Sequence, residues 1–210
     1  MADFDRQAHW EDVYRTKGDA ELSWFQEEPT SSLVLIDRNR VRPARAIDIG
    51  GGQSSLAGIL LDRGVAEVAV LDISSAAIER AKVRLGERAT RVRWIVGDVL
   101  EVGDVGLEDL GPVDLWHDRA VFHFLTDPAE RARYAATAAR AVVPGGALAV
   151  STFAPEGPER CSGLPVHRFD ADALEREFAP AFRLVDRAAE THVTPWGKAQ
   201  PFTCALLRRT

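Results

Sequence analysis

Short apolar runs and amphipathic stretches alternate along this chain, with glycine, proline or aspartate between them. The run 45–49 (RAIDI) is apolar and ends in three glycines, the pattern of a buried strand. Residues 54–63 then carry Leu56, Ile59 and Leu60 at helical spacing, and 65–71 (VAEVAVL) predicts a second strand. Ser74 is placed to cap a helix with Ile78, Ala81 and Leu85 on its face, stopped by Gly86. The runs 92–96 (VRWIV) and 113–117 (VDLWH) predict strands three and four. Asp127-Pro128-Ala129-Glu130 combines a capping acceptor, a first-turn proline and a glutamate, so a helix starts there. Its expected apolar stripe is Ala132, Ala135, Ala139 and Val142, and Pro144-Gly145-Gly146 is its expected end. A fifth strand is predicted at 147–153, then a short helix capped by Asp170 and bearing Leu174 and Phe178. Two last strands, 182–188 and 202–207, are expected with a long loop between them. Before the alternation, 7–17 and 31–38 read as helices.

Strands alternating with helices predict an α/β fold: a Rossmann-like doubly wound sheet of seven strands with helices on both faces. It should be mostly parallel, with an antiparallel edge from the last two strands. One domain is expected over 1–210, with 45–210 as its core. The 26 basic and 32 acidic residues leave a net charge of −6, which disfavours nucleic acid and anionic membranes as partners. Only three cations are lysine (Lys17, Lys82, Lys198), a bias that genome composition explains without a phosphate-binding role. Cys161 and Cys204 lack the paired spacing of a disulfide scaffold or zinc knuckle. No apolar run is long enough for a membrane helix, and the opening segment has no signal-peptide core, so a cytoplasmic location is expected.

In doubly wound sheets, ligands sit at the carboxyl ends of the strands where strand order reverses. Past strand one comes Asp48-Ile49-Gly50-Gly51-Gly52, whose glycines permit a tight turn and close ligand approach. Strand two ends in Asp72-Ile73, where an acid can accept two hydrogen bonds from a ribose diol. Strand three is followed by Asp98-Val99, where the acid can accept from an exocyclic amine. Each feature alone is also a tight turn or a helix cap; the three together at matched strand ends are more specific.

This combination resembles the class I S-adenosylmethionine-dependent methyltransferases. The resemblance implies that Asp48, Gly50, Gly51 and Gly52 cradle the methionine part. It implies that Asp72 and Ile73 serve the ribose, and Asp98 and Val99 the adenine. One departure is Ser54, which stands where the family has a third loop glycine. His9-Trp10-Glu11 with Tyr14, Ser23-Trp24-Phe25, the segment 116–125 (WHDRAVFHFL) and 157–165 (GPERCSGLP) resemble a group of small bacterial methyltransferases. The N-terminal part is loosely similar to thiopurine-type methyltransferases, in which an N-terminal segment covers the cofactor. That similarity makes 1–44 a helical lid; Trp24 is a candidate cofactor contact because a positive sulfonium gains cation–π attraction from an indole face, with core filling as the alternative.

The implied activity is in-line transfer of a methyl group to an O, N or S atom of a small-molecule acceptor, leaving S-adenosylhomocysteine. Strand four should end beside that methyl, so His117, Asp118 and Arg119 are the catalytic candidates, His117 as base and Arg119 as anchor for an acidic acceptor. Asp118 is also a candidate cofactor contact. A structural ion pair of Asp118 with Arg119 and a packed His117 explain the same residues equally well. Tyr14, Cys161, His167 and Trp196 are further acceptor-site candidates. Trp10 is better explained as core filling, and His123 as a satisfied buried histidine. His117, Cys161 and His167 lack a close ligand pair, so no metal is expected. Protein-lysine methylation is an alternative, as are a nicotinamide-dependent oxidoreductase or a non-catalytic cofactor-binding protein. Against the oxidoreductase, Gly50-x-Gly52-x-x-Ser55 lacks the last glycine. A monomer or homodimer is expected.

Overall fold

Strands buried on both faces need near-continuous apolar runs, and the central runs of this chain supply them. The computed structural model describes residues 4–18, 21–101 and 111–210. Residues 1–3 and 19–20 of the expected lid lie outside them. Two helices come first, α1 (Arg6–Thr16) and α2 (Thr30–Arg38). Then β1 (Arg45–Ile49), α3 (Leu56–Asp62), β2 (Glu67–Asp72), α4 (Ser75–Leu85) and β3 (Val92–Val96) follow in strict alternation. Next are β4 (Val113–Arg119), α5 (Pro128–Ala141) and β5 (Val142–Phe153). A small hairpin, β6 (Arg160–Cys161) and β7 (Leu164–Pro165), precedes α6 (Ala171–Phe178), β8 (Phe182–Val193) and β9 (Ala199–Arg209).

The large sheet has the order β3-β2-β1-β4-β5-β9-β8. The first five strands are parallel; β9 runs antiparallel to both β5 and β8. This is the expected Rossmann-like seven-stranded sheet. Strand order reverses between β1 and β4, so the loops after these strands diverge and leave a crevice. One face packs Leu35, Ile36, Leu60, Leu115 and Leu206, and the other packs Ile47, Trp116, Tyr134, Phe178 and Leu207. The caps are those expected: Ser74 accepts from Ala77 N, Asp127 from Ala129 N and Asp170 from Ala173 N. Gly86 ends α4 at φ 61°.

Four expectations are corrected. The buried face of α5 is Arg131, Tyr134, Thr137 and Ala138, one position away from the alanine stripe. Hydrogen bonding decides this: the Tyr134 hydroxyl donates to Asp118 Oδ2 and accepts from Trp116 Nε1 at 2.9 Å. Pro144 to Gly146 lie within the long strand β5, not past a helix end, and Val142 belongs to that strand. The last two strands are longer than expected and joined by a short turn, since 182–193 and 199–209 pair as one hairpin. Finally β4 continues through Arg119, which puts His117, Asp118 and Arg119 inside a strand and on alternating faces.

Tyr134→Phe would leave the Asp118 oxygen and the Trp116 N–H short of a partner. We expect a loss of about 2 kcal/mol, a fall in Tm of roughly 4–8 °C by differential scanning calorimetry.

Candidate active site

The glycine loop after β1 is shaped by what it must touch. Gly50 has φ 66°, its N–H donates to Leu71 O at 2.7 Å, and a Cβ there would lie 2.2 Å from Val121 Cγ2. Gly52 N–H donates to Asp72 Oδ2 at 3.0 Å; a Cβ at this position would lie 2.8 Å from that oxygen and 2.4 Å from Ala77 Cβ. Asp72 therefore draws the first loop onto the end of β2. Its Oδ1 accepts from Ser74 N at 2.9 Å, which also fixes the start of α4. Burial pushes the Asp72 carboxyl up to about 6, against the pull of those two N–H groups, and the nearby Asp48 and Glu11 add to the rise.

The main cavity opens between these loops. Asp72 and Ile73 from the end of β2, Asp98 and Val99 after β3, and Gly50 line one side. Asp98 Oδ1 accepts from Leu100 N at 2.9 Å, and Arg6 Nη1 stands 3.6 Å from its Oδ2. The other side is aromatic: Trp10, Tyr14, Trp24 and Phe124. Trp10 and Trp24 meet edge to face at 5.7 Å between centroids, Trp10 and Phe124 at 5.0 Å. The helix α1 is held over this cavity by Glu11, which accepts from Ser74 Oγ, Ser75 Oγ and Ala76 N at the start of α4. Burial would raise the Glu11 carboxyl, but hydrogen bonds from Ser74, Ala76 and Ser75 outweigh it and bring it down to about 2. Arg6 adds a second tie by pairing with Glu130 on α5.

The catalytic candidates are sorted by the pleat of β4. Asp118 points away from the crevice and is fully buried. Its oxygens accept from Val121 N, Phe122 N and the Tyr134 hydroxyl, so it shapes the turn after β4, and it lines neither the main nor the smaller cavity. Burial pushes its carboxyl up to about 6 despite those bonds. Its expected pairing with Arg119 does not occur because the two side chains lie on opposite faces. His117 has both ring nitrogens engaged, Nδ1 with Asp48 Oδ1 at 2.6 Å and Nε2 with Ser32 Oγ at 2.8 Å. To act as a base it would have to give up one of these two bonds. Arg119 does reach the cavity wall, but Nη1 donates to Trp24 O and Nη2 to Glu190 Oε1, each at 3.0 Å. Its guanidinium stacks 4.6 Å from the Phe202 centroid. Two of its three nitrogens are thereby engaged, and the buried Nε has no partner among the described residues.

Of the other candidates, Tyr14, Trp24 and Cys161 line the main cavity. Burial pushes the Cys161 thiol up, and its Sγ lies 3.7 Å from Ser23 Oγ. His167 is exposed beside Phe169, and Trp196 stands 56% exposed in the β8–β9 turn; neither lines the cavities at the strand ends. A smaller cavity shares Gly50, Trp24 and Arg119 with the main one and reaches Asp48, His117 and Ser54. Gly51 is packed on Asp48, whose Oδ2 a Cβ would approach to 2.6 Å. His123 is buried, as expected, but only half satisfied: Nδ1 accepts from Phe153 N while Nε2 has no partner among the described residues, and burial and the nearby Arg119 push its imidazole down to about 3. Among the described residues no group of His, Cys, Asp and Glu is placed to hold a metal ion, and no helix is long and apolar enough to cross a membrane.

Sequence reasoning missed Arg6, Trp10, Glu11, Ser32, Phe124 and Glu190. The i, i+4 pair Trp10/Tyr14 was the one available signal, because it places two aromatics on one helix face.

Residues 47–150 match the family described as "Methyltransferase domain". Among curated proteins none matches the sequence. Solved structures share the whole fold. An S-adenosylmethionine-dependent methyltransferase from Anabaena variabilis is 16% identical, with a TM-score of 0.78 over 99% of this chain and 96% of that one. The N-methyltransferase NodS of Bradyrhizobium japonicum, solved with S-adenosylhomocysteine, is 17% identical, with a TM-score of 0.69 over 98% and 99%. The 1,6-didemethyltoxoflavin-N1-methyltransferase of Burkholderia thailandensis is 20% identical, with a TM-score of 0.66 over 97% and 84%. The matched domain and the sheet make this chain a class I S-adenosylmethionine-dependent methyltransferase. The residues present fit that cofactor: a loop with no room for a Cβ at Gly50 or Gly52, and two wall acids, Asp72 and Asp98, with lone pairs to spare.

Asp72 and Asp118 both bind protons more tightly folded than unfolded, where an aspartate titrates near 3.8. The sign follows: between about 4 and 6 the native state holds more protons, so stability falls as pH rises through that window. Calorimetry from pH 4 to 7 on the ligand-free protein should show that decline superimposed on other titrations. Asp118→Asn should remove about half of it.

Proposed function

We propose that the chain methylates a small, largely apolar acceptor at an atom that is already nucleophilic without a protein base. The observation that carries this is the main cavity: two acids at the ends of neighbouring strands, faced by an aromatic wall, with no free base. The cofactor, when bound, supplies a methyl group on a positive sulfur, activated for transfer to a lone pair. The chain's own work is then to bind, orient and keep water out. Asp72 is suited to accept from vicinal hydroxyls and Asp98 from an amine. The faces of Trp10, Tyr14, Trp24 and Phe124 favour a neighbouring cation and exclude water.

The titratable groups on the cavity wall explain the choice of acceptor. Burial holds the Tyr14 phenol well above its ordinary value and raises the Cys161 thiol, so both stay protonated at neutral pH. Arg6 and Arg119 are cations held by acids. With Asp72 and Asp98 committed to the cofactor, no described group on the wall of the main cavity is left to deprotonate an alcohol. An unprotonated amine, a ring nitrogen or an ionised thiol needs no such help. Two structural relatives named as N-methyltransferases support a nitrogen acceptor. The closed aromatic wall favours a small molecule over a protein lysine.

Isothermal titration should give S-adenosylhomocysteine binding that Asp72→Ala weakens by about tenfold or more, the loss of one to two charge-assisted bonds. Transfer of a labelled methyl group should appear in the small-molecule fraction of an extract, not in protein. Trp24→Ala should reduce turnover, whereas Trp196→Ala should stay within about twofold, since an exposed turn residue contributes little. Absent binding at millimolar ligand would overturn the reading.

A further inference from the structure

Asp48 is the one buried acid at these strand ends whose hydrogen bonding is incomplete. Oδ1 is 2.6 Å from His117 Nδ1, but Oδ2 is buried and has no partner among the described residues. A bare buried acceptor carries the full cost of desolvation, so a donor from outside the chain is its natural complement. Asp48 lines the smaller cavity, which joins the main one along Gly50, Trp24 and Arg119.

The orientation of that carboxylate is imposed from behind. Parallel register sets Asp48 of β1 directly across from His117 of β4. His117 Nε2 is in turn 2.8 Å from Ser32 Oγ in the first turn of α2. With Nδ1–H donating to Asp48, Nε2 accepts from the Ser32 hydroxyl, and the ring cannot turn without losing both bonds. A Ser-His-Asp nucleophile reading fails on access. Ser32 is 3% exposed and lines neither cavity, and the base nitrogen would have no acyl group to serve.

We propose that His117 is a positioning residue for cofactor recognition. Braced by Ser32, it holds Asp48 so that Oδ2 faces the smaller cavity and accepts from the α-ammonium at the amino-acid end of the cofactor. The inference rests on the S-adenosylmethionine reading above. It separates binding of the two ends: the adenosine end belongs to Asp72 and Asp98, the amino-acid end to the His117–Asp48 pair.

The test compares two ligands by isothermal titration, S-adenosylhomocysteine and 5′-methylthioadenosine, which keeps the adenosine and sulfur but lacks the amino acid. His117→Leu should weaken S-adenosylhomocysteine by about tenfold or more while methylthioadenosine changes less than about twofold. His117→Asn returns a donor near the Nδ1 position and should recover most of the loss. Should His117→Leu not fold by circular dichroism, Ser32→Ala carries the same comparison, with a smaller loss confined to S-adenosylhomocysteine. Equal weakening of both ligands would make the role merely structural and overturn the proposal, as would unchanged S-adenosylhomocysteine affinity. A wild-type protein that binds neither ligand would instead remove the cofactor reading, and this inference with it.

Discussion

Buried carboxylates need donors, and the donors they recruit organise the whole carboxyl edge of this sheet. Asp48, Asp72 and Asp118 stand at or near the ends of β1, β2 and β4, each 3% exposed or less. A group that costs several kcal/mol to bury bare must be met by N–H or O–H groups. Asp72 meets that demand with backbone amides from two loops, Gly52 and Ser74, and so ties the glycine turn to the start of α4. Asp118 takes amides of the turn after β4 and the hydroxyl of Tyr134 on α5. Asp48 takes an imidazole and keeps one oxygen in reserve. The crevice at the switch point is built from these choices; the apolar core supplies the platform.

Local chemistry explains why the fold was legible and part of the site was not. Each central strand is a continuous apolar run, and each helix start carries a side-chain acceptor at the right offset, so Ser74, Asp127 and Asp170 announce themselves. Glycine at 50 and 52 and acids at 72 and 98 are readable because their positions follow strand ends. What sequence could not resolve was the end of β4. Two residues more of strand send Asp118 to the far face, so three consecutive polar residues acquire three unrelated surroundings. The alanine stripe on α5 failed for a related reason. Tyr134 points inward to satisfy Asp118 and Trp116, a demand set by a strand 16 residues away.

The N-terminal segment joins the site by polar contacts as much as by packing. Glu11 caps α4, Arg6 bridges Asp98 and Glu130, Ser32 braces His117, and Trp24 O receives Arg119. These contacts come from residues more than 60 positions away from their partners, so no periodicity signals them. They place the aromatic faces of Trp10, Tyr14 and Trp24 over the cavity while leaving the two strand-end acids on its far wall.

Charge balance closes the argument. A fixed cation beside a positive sulfonium would repel it by an amount that grows as water is excluded. Both arginines on the main cavity wall are neutralised by acids: Arg119 by Glu190, and Arg6 by Asp98 and Glu130. Stacking on Phe202 further fixes Arg119 away from an open orientation. Asp72 is held by backbone amides and Asp48 by an imidazole. The carboxylates at the ends of β1 and β2 add a negative potential across the two joined cavities. It favours a ligand that carries positive charge at sulfur and at an α-ammonium, and a share of the chain's acidic excess is spent where such a ligand would feel it.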